Sequence, residues 1–194
     1  VLEPEEASTS RRASRALLEW GAVIIGALAV ALLIKTFLVQ AYYIPSESMV
    51  PTLNENDRVL VNKLSYQVGE IKRGQVVVFH RPEGWDGDDE DLIKRVVALE
   101  GETITITEGK VYIGEQLLVE GYLRDGVTTS GFVDQTGCVD PTPTTCTIPE
   151  GHIFVMGDNR GSSHDSRFEG PIPESDVVGR AFVKVWPLSD LSGL

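Results

Sequence analysis

Leu92-Ile93-Lys94-Arg95-Val96-Val97-Ala98 decides the fold. The run is too short for an ordinary helix, rich in β-branched residues and has no 3.6-residue period, so it reads as a strand. Alternation puts Lys94 on the face shared with Leu92, Val96 and Ala98. Apolar neighbours strip water from an ammonium group and lower its affinity for the proton, so this lysine is a candidate base. Working outward, Arg58 to Leu64 and Gln75 to His80 have the same character. So do Glu102 to Thr107, Lys110 to Ile113, Gln116 to Glu120, His152 to Met156 and Val177 to Trp186. No stretch after residue 50 carries helical periodicity. The expected fold class is mainly β, a coiled antiparallel β-sheet domain. Residues 121–149, rich in Gly, Thr, Pro and Asp, look like an excursion from it.

Before the strands lies a different kind of chain. Residues 1–15 are polar, and Val1 in place of an initial Met leads us to expect a longer native N-terminus. Trp20 to Val39 is apolar except for Lys35 and Thr36. At about 1.5 Å per residue a helix of that length spans about 30 Å, the thickness of a hydrocarbon core. Lys35 is near enough to the end to snorkel. Arg11, Arg12 and Arg15 precede the span, which favours a cytoplasmic N-terminus and a single-pass protein of the cell membrane with residues 41–194 outside. Val39-Gln40-Ala41 has the small-residue pattern of a cleavage site, but the apolar run exceeds the roughly 7–15 residues of a removable signal, so retention is expected.

The net charge of -12 lies wholly beyond residue 40, because the acids and bases of residues 1–40 cancel. A domain this acidic has nothing to replace phosphate counterions, which excludes nucleic acid as a partner. Glu83, Asp86, Asp88, Asp89, Glu90 and Asp91 are spaced by Gly84 and Gly87 as a solvated loop, without the pattern of a calcium site. Cys138 and Cys146 have no second pair or histidine at zinc spacing. A disulfide closing a Pro-rich loop is the better reading in an oxidising compartment. It stabilises by about 2–3 kcal/mol in the chain-entropy account. Neither a metal nor any other cofactor is expected.

Between the apolar run and the first strand stands Ile44-Pro45-Ser46-Glu47-Ser48-Met49-Val50-Pro51-Thr52-Leu53. Prolines fix φ on both sides of the two serines, so either hydroxyl is held as a nucleophile needs to be. A third polar stretch follows an apolar strand: Gly157-Asp158-Asn159-Arg160-Gly161-Ser162-Ser163-His164-Asp165-Ser166-Arg167. A Ser-His-Asp arrangement from Ser48, His164 and Asp165 is disfavoured, since adjacent residues of an extended segment point to opposite sides. A non-catalytic anchored β-domain is the reading from another class. It would leave Ser48 and Lys94 apart.

Pro-Ser-x-Ser-Met-x-Pro-Thr-Leu, Lys-Arg-Val-Val and Gly-Asp-Asn-Arg-x-x-Ser-x-Asp-Ser-Arg, in that order behind an anchor, resemble the bacterial type I signal peptidases. The resemblance runs from about Ile34 to Pro187. It implies a membrane-bound serine endopeptidase that removes signal peptides from exported preproteins after Ala-x-Ala-like sites, with lipid as its other partner. By the same resemblance Ser48 is the nucleophile and Lys94 the general base. The Ser46 hydroxyl and the Ser48 N–H form the oxyanion hole, and Ser163 orients the lysine. Arg95, Asp158, Asp165 and Arg167 brace the site, and Ile44, Ile93, Met49 and Leu53 line substrate pockets. Glu47 departs from the Gly or Ala usual between the serines, and is expected to point away from the cleft. The implied organisation is a cytoplasmic segment at 1–19, a transmembrane helix at 20–39, a catalytic β-domain at 40–105 and 151–194, and a β-rich insertion at 106–150.

Overall fold

The computed structural model describes residues 19–31 and 38–194. The chain divides after Val39 into two units. In the first, residues 19–31 are helical, with Trp20, Ile24 and Ile25 among its exposed apolar side chains. Among the described residues no helix is long and apolar enough to cross a membrane. Most of the expected cytoplasmic segment, and residues 32–37 of the expected span, lie outside the described residues. The far end of the span is corrected: Val39 opens a strand, because Val39-Gln40-Ala41-Tyr42-Tyr43 suits a pleated edge as well as a helix end.

The second unit is built on antiparallel sheet. Its strands are β1 (Val39–Tyr43), β2 (Arg58–Asn62), β3 (Val76–His80), β4 (Asp91–Ala98), β5 (Thr103–Thr107), β6 (Lys110–Ile113) and β7 (Gln116–Leu117). There follow β8 (Val139–Thr142), β9 (Thr145–Thr147), β10 (His152–Met156), β11 (Ile172–Pro173), β12 (Val177–Trp186) and β13 (Ser192–Gly193). The larger sheet has the order β1-β2-β12-β3-β4-β10-β11, with β13 on β12. The smaller has the order β7-β6-β5-β9-β8. Register shifts in β12 opposite β2 and β3, and in β10 opposite β4, curl the larger sheet.

Burial of both faces explains the run of β-branched residues at the centre. Val76 and Val78 pack with Ile44, Met49, Leu53 and Ile93 on one side. Val77 and Phe79 pack with Trp85, Val96 and Ile153 on the other. Successive side chains of one strand thus serve two cores, as a period of two requires. A third core joins the sheets: Val97, Ala98, Phe154 and Met156 meet Ile104, Val111 and Ile148.

The expected strands recur, Lys110–Ile113, His152–Met156 and Val177–Trp186 with the same ends and others with shifted ones. Arg58 to Leu64 stops at Asn62, whose side-chain oxygen accepts the Leu64 N–H and turns the chain. Gln116 to Glu120 shortens to Gln116–Leu117. Within 121–149 the structure adds a hairpin, β8 on β9, and Cys138 and Cys146 are bonded across it with Cα atoms 5.2 Å apart. Beyond residue 50 helix is confined to single turns such as Ser65–Val68 and Ser166–Glu169.

Candidate active site

The turn that carries Ser46 and Ser48 is anchored by what flanks it. Ile44 is fixed by a backbone pair with the chain that returns from the turn, its N–H donating to the Asp57 carbonyl at 3.0 Å and its own carbonyl accepting from Asn56. Met49 and Leu53 are fully buried, and the Leu53 N–H donates to the Met49 carbonyl at 3.0 Å. Apolar residues on either side therefore sink into the core and hold Ser48, 7 % exposed, at the edge of a cleft. Lys94 comes to it from the middle of β4, opposite Val77 of β3, and is 4 % exposed. Lys94 Nζ donates to Ser48 Oγ at 2.8 Å. Burial brings the lysine pKa down from 10.5 to about 8, helped by the Arg81 and Arg167 charges and opposed by Asp165 and Asp89.

Two buried arginine–carboxylate forks hold the surroundings. Arg95 donates from Nε and Nη2 to Asp158 at 2.8 and 2.6 Å, and from Nη1 to the Gly74 carbonyl at 2.7 Å. Its guanidinium lies 4.1 Å from the centre of the Tyr122 ring. Arg167 donates to both oxygens of Asp165 at 2.8 Å, while Asp165 also accepts the Gly157 N–H at 3.0 Å. Removal of either partner would strand a buried charge. Ordinary reading of the motifs missed three further supports. The Asn159 N–H donates to the Ser48 carbonyl at 3.0 Å, and its side-chain amide to the Glu47 carbonyl at 3.1 Å. Thr52 Oγ1 donates to Asp158 at 2.5 Å. Arg160 is buried against Glu120 and donates to Thr129 at 2.7 Å. Asn159 and Thr52 were visible inside the quoted motifs, but nothing in their spacing gave a partner. Gly157 has its own reason, since a side-chain carbon there would collide with Ser163 Oγ and the Ser48 carbonyl.

The expected site residues divide into those brought together and those not. Ser46, Ser48 and Lys94 meet, with Ser46 Oγ donating to Ser48 Oγ at 3.3 Å. Arg95 with Asp158, and Arg167 with Asp165, pair as braces. Ser163 is buried beside them, but its Oγ makes no hydrogen bond among the described residues, so the expected bond to the lysine is not formed. Glu47 is exposed and stands outside the cleft lining. Ile44, Ile93, Met49 and Leu53 are core residues rather than cavity lining, because the same burial that fixes the turn removes them from solvent. The cavity over the dyad, about 260 Å³, is instead walled by Arg81, Trp85, residues 86–89 and Leu92 on one side and by Ser162 and His164 on the other. His164 pairs with Glu169 at 2.6 Å and Asp165 with Arg167, so a Ser-His-Asp relay is not assembled. No metal-holding group of acids, histidines or cysteines occurs among the described residues.

A serine hydroxyl in contact with a desolvated amine, in a β-sheet domain, is the equipment of a hydrolase whose base is a lysine. The family model for signal peptidase, peptidase S26, matches residues 17–186, and the chain belongs to that family: it is a serine peptidase with signal peptidase I function. It is 37 % identical to a signal peptidase I of Leptolyngbya laminosa over 98 % of this chain and 90 % of that one. It is 35 % identical to a signal peptidase I of Bacillus amyloliquefaciens, over 97 % and 95 % of the two chains. A solved signal peptidase I from Enterococcus faecalis overlaps 58 % of this chain and 97 % of its own at 28 % identity and a TM-score of 0.46. The family is membrane-associated, and its substrates are preprotein signal peptides.

Proposed function

We propose that Ser48 attacks the scissile carbonyl while Lys94, in its uncharged form, takes the hydroxyl proton. The observation that carries this is the 2.8 Å contact between Lys94 Nζ and Ser48 Oγ at a lysine poised near pH 8. The carbonyl oxygen becomes an oxyanion, met by the Ser48 N–H and by the Ser46 hydroxyl after a side-chain rotation that releases its bond to Ser48 Oγ. The ammonium of Lys94 gives its proton to the departing amine, and the acyl group stays on Ser48 as an ester. Lys94 then deprotonates the water that hydrolyses it. Ser163, buried and with its Oγ unbonded, orients the lysine once its hydroxyl rotates toward Nζ.

The small cavity favours small side chains next to the scissile bond, which supports Ala-x-Ala-like sites. An apolar segment that begins at Trp20 and ends before Val39 anchors the protein with residues 1–19 in the cytoplasm and the catalytic domain outside, where the bonded Cys138 and Cys146 are at home. Exposed Trp186, Leu188 and Leu191 are suited to lipid head groups. The test incubates the purified protein in detergent with a preprotein and with an Ala-x-Ala peptide. Ser48→Ala and Lys94→Ala should each abolish cleavage, and wild-type rates in either would overturn the dyad.

A further inference from the structure

The acid-rich segment after β3 does not behave as the free loop its composition suggests. Arg81 reaches back under it, donating from Nε to the Asp89 carbonyl at 2.7 Å and from Nη1 to the Asp86 carbonyl. Gly87, at φ +124°, passes so close over the guanidinium that any side-chain carbon would strike it. The opposite end of the segment is tied to the other wall of the cleft. The Asp86 N–H donates to Glu169 Oε1 at 3.2 Å, and the same oxygen holds His164 Nε2 at 2.6 Å. His164 in turn stacks on Phe168 with ring centres 4.9 Å apart. Trp85, just before the segment, is seated in the core against Phe79 at 5.9 Å. Residues 86–89 thus form a docked strap, and they line the same cavity as Ser48 and Lys94.

We propose that Arg81 is a positioning residue that determines specificity: its guanidinium fork holds residues 86–89 as the wall of the substrate cleft, and Glu169 latches that wall to the far side. The inference rests on the reading of Ser48 and Lys94 as the dyad. Neither Arg81 nor Glu169 is assigned a chemical step. A fixed wall rejects side chains too large for the cavity; a loosened one admits them, because discrimination by a shaped pocket is lost when the pocket yields. A lysine at position 81 would keep the charge but lack the planar fork that reaches two carbonyls at once.

The experiment measures kcat and KM of the full-length protein in detergent on peptides with alanine or leucine at each of the two positions on either side of the scissile bond. Wild type is compared with Arg81→Ala, Arg81→Lys, Gly87→Ala and Ser48→Ala. Arg81→Ala, Arg81→Lys and Gly87→Ala should raise KM for the all-alanine peptide and lower the alanine-over-leucine preference by about tenfold at one position or more. A preference unchanged in Arg81→Ala, or fully restored by Arg81→Lys, would overturn the inference. A fall in kcat alone, with KM and preference intact, would do the same. Glu169→Ala removes the acceptor of the Asp86 N–H while leaving the Arg81 fork in place, and should give the same loss of preference in smaller measure. Cleavage by Ser48→Ala at the wild-type rate would instead defeat the dyad, so the two failures are told apart.

Discussion

Two lysines of this domain are equally hidden from solvent and behave oppositely. Lys94 and Lys184 are both 4 % exposed. Burial alone pushes each toward the neutral amine. At Lys94 the direct partner is a hydroxyl, Asp165 already belongs to Arg167, and the pKa falls to about 8. At Lys184 burial is outweighed by a direct bond to Asp190 and by Asp57 at 3.5 Å, and the pKa rises. A lysine that readily gives up its proton is therefore made by withholding a carboxylate as much as by excluding water.

The largest effect that follows is on chemistry. Lys94→Arg keeps a cation that cannot deprotonate, and should lower kcat/KM by more than about 10⁴-fold. Lys184→Arg, which keeps its ion pairs, should leave peptide cleavage within about threefold of wild type, and an equal loss in both would erase the contrast. Stability comes next. Lys184→Met leaves Asp57 buried and unpaired, and should cost about 3–5 kcal/mol in denaturant unfolding. Lys94→Met removes a charge that is desolvated without compensation, and should stabilise at pH 7 by about 1–3 kcal/mol.

The pH dependence carries the same signs. For Lys94 the folded pKa lies below the unfolded 10.5, so the stability cost is full below about pH 8 and fades as pH rises toward 10.5. For Lys184 the folded pKa is raised, so its contribution is full below 10.5 and is lost as pH rises through the folded value. Cleavage should accordingly rise through an apparent pKa near 8, and a flat profile from pH 5 to 10 would exclude a lysine base. The smallest effect sharpens the comparison: Leu92→Asp places a carboxylate in the cavity with Lys94 and should move that midpoint up by about one pH unit, with Leu92→Asn leaving it in place.

Much of the site could be read before the structure, and the reasons are local. Lys94 stands among apolar residues within one strand, and Ser48 between prolines within one turn, so each announces itself over a few residues. Lys184 looks the same in Val183-Lys184-Val185, yet its carboxylates come from Asp57 and Asp190, and no spacing rule connects all three. Ile44, Ile93, Met49 and Leu53 are apolar and near the dyad in sequence, which does not tell a pocket from a core. Residues 86–89 are acidic and glycine-spaced, and only the reach of Arg81 and Glu169 turns them into a wall. The β8–β9 hairpin escaped because Val139-Asp140-Pro141-Thr142 lacks strand character and is paired by its neighbour.

The hydrogen bond from Asn159 to the Glu47 carbonyl joins residues 112 apart, and its backbone N–H closes on Ser48 in the same way. A ribosome makes Ser48 and Lys94 long before it makes Asn159, and distant closures of this kind are the slow ones. The backing of the serine turn is thus incomplete until Asn159 has emerged. A nascent chain ending ahead of Gly157 would hold Ser48 and Lys94 without the contacts that back the serine turn.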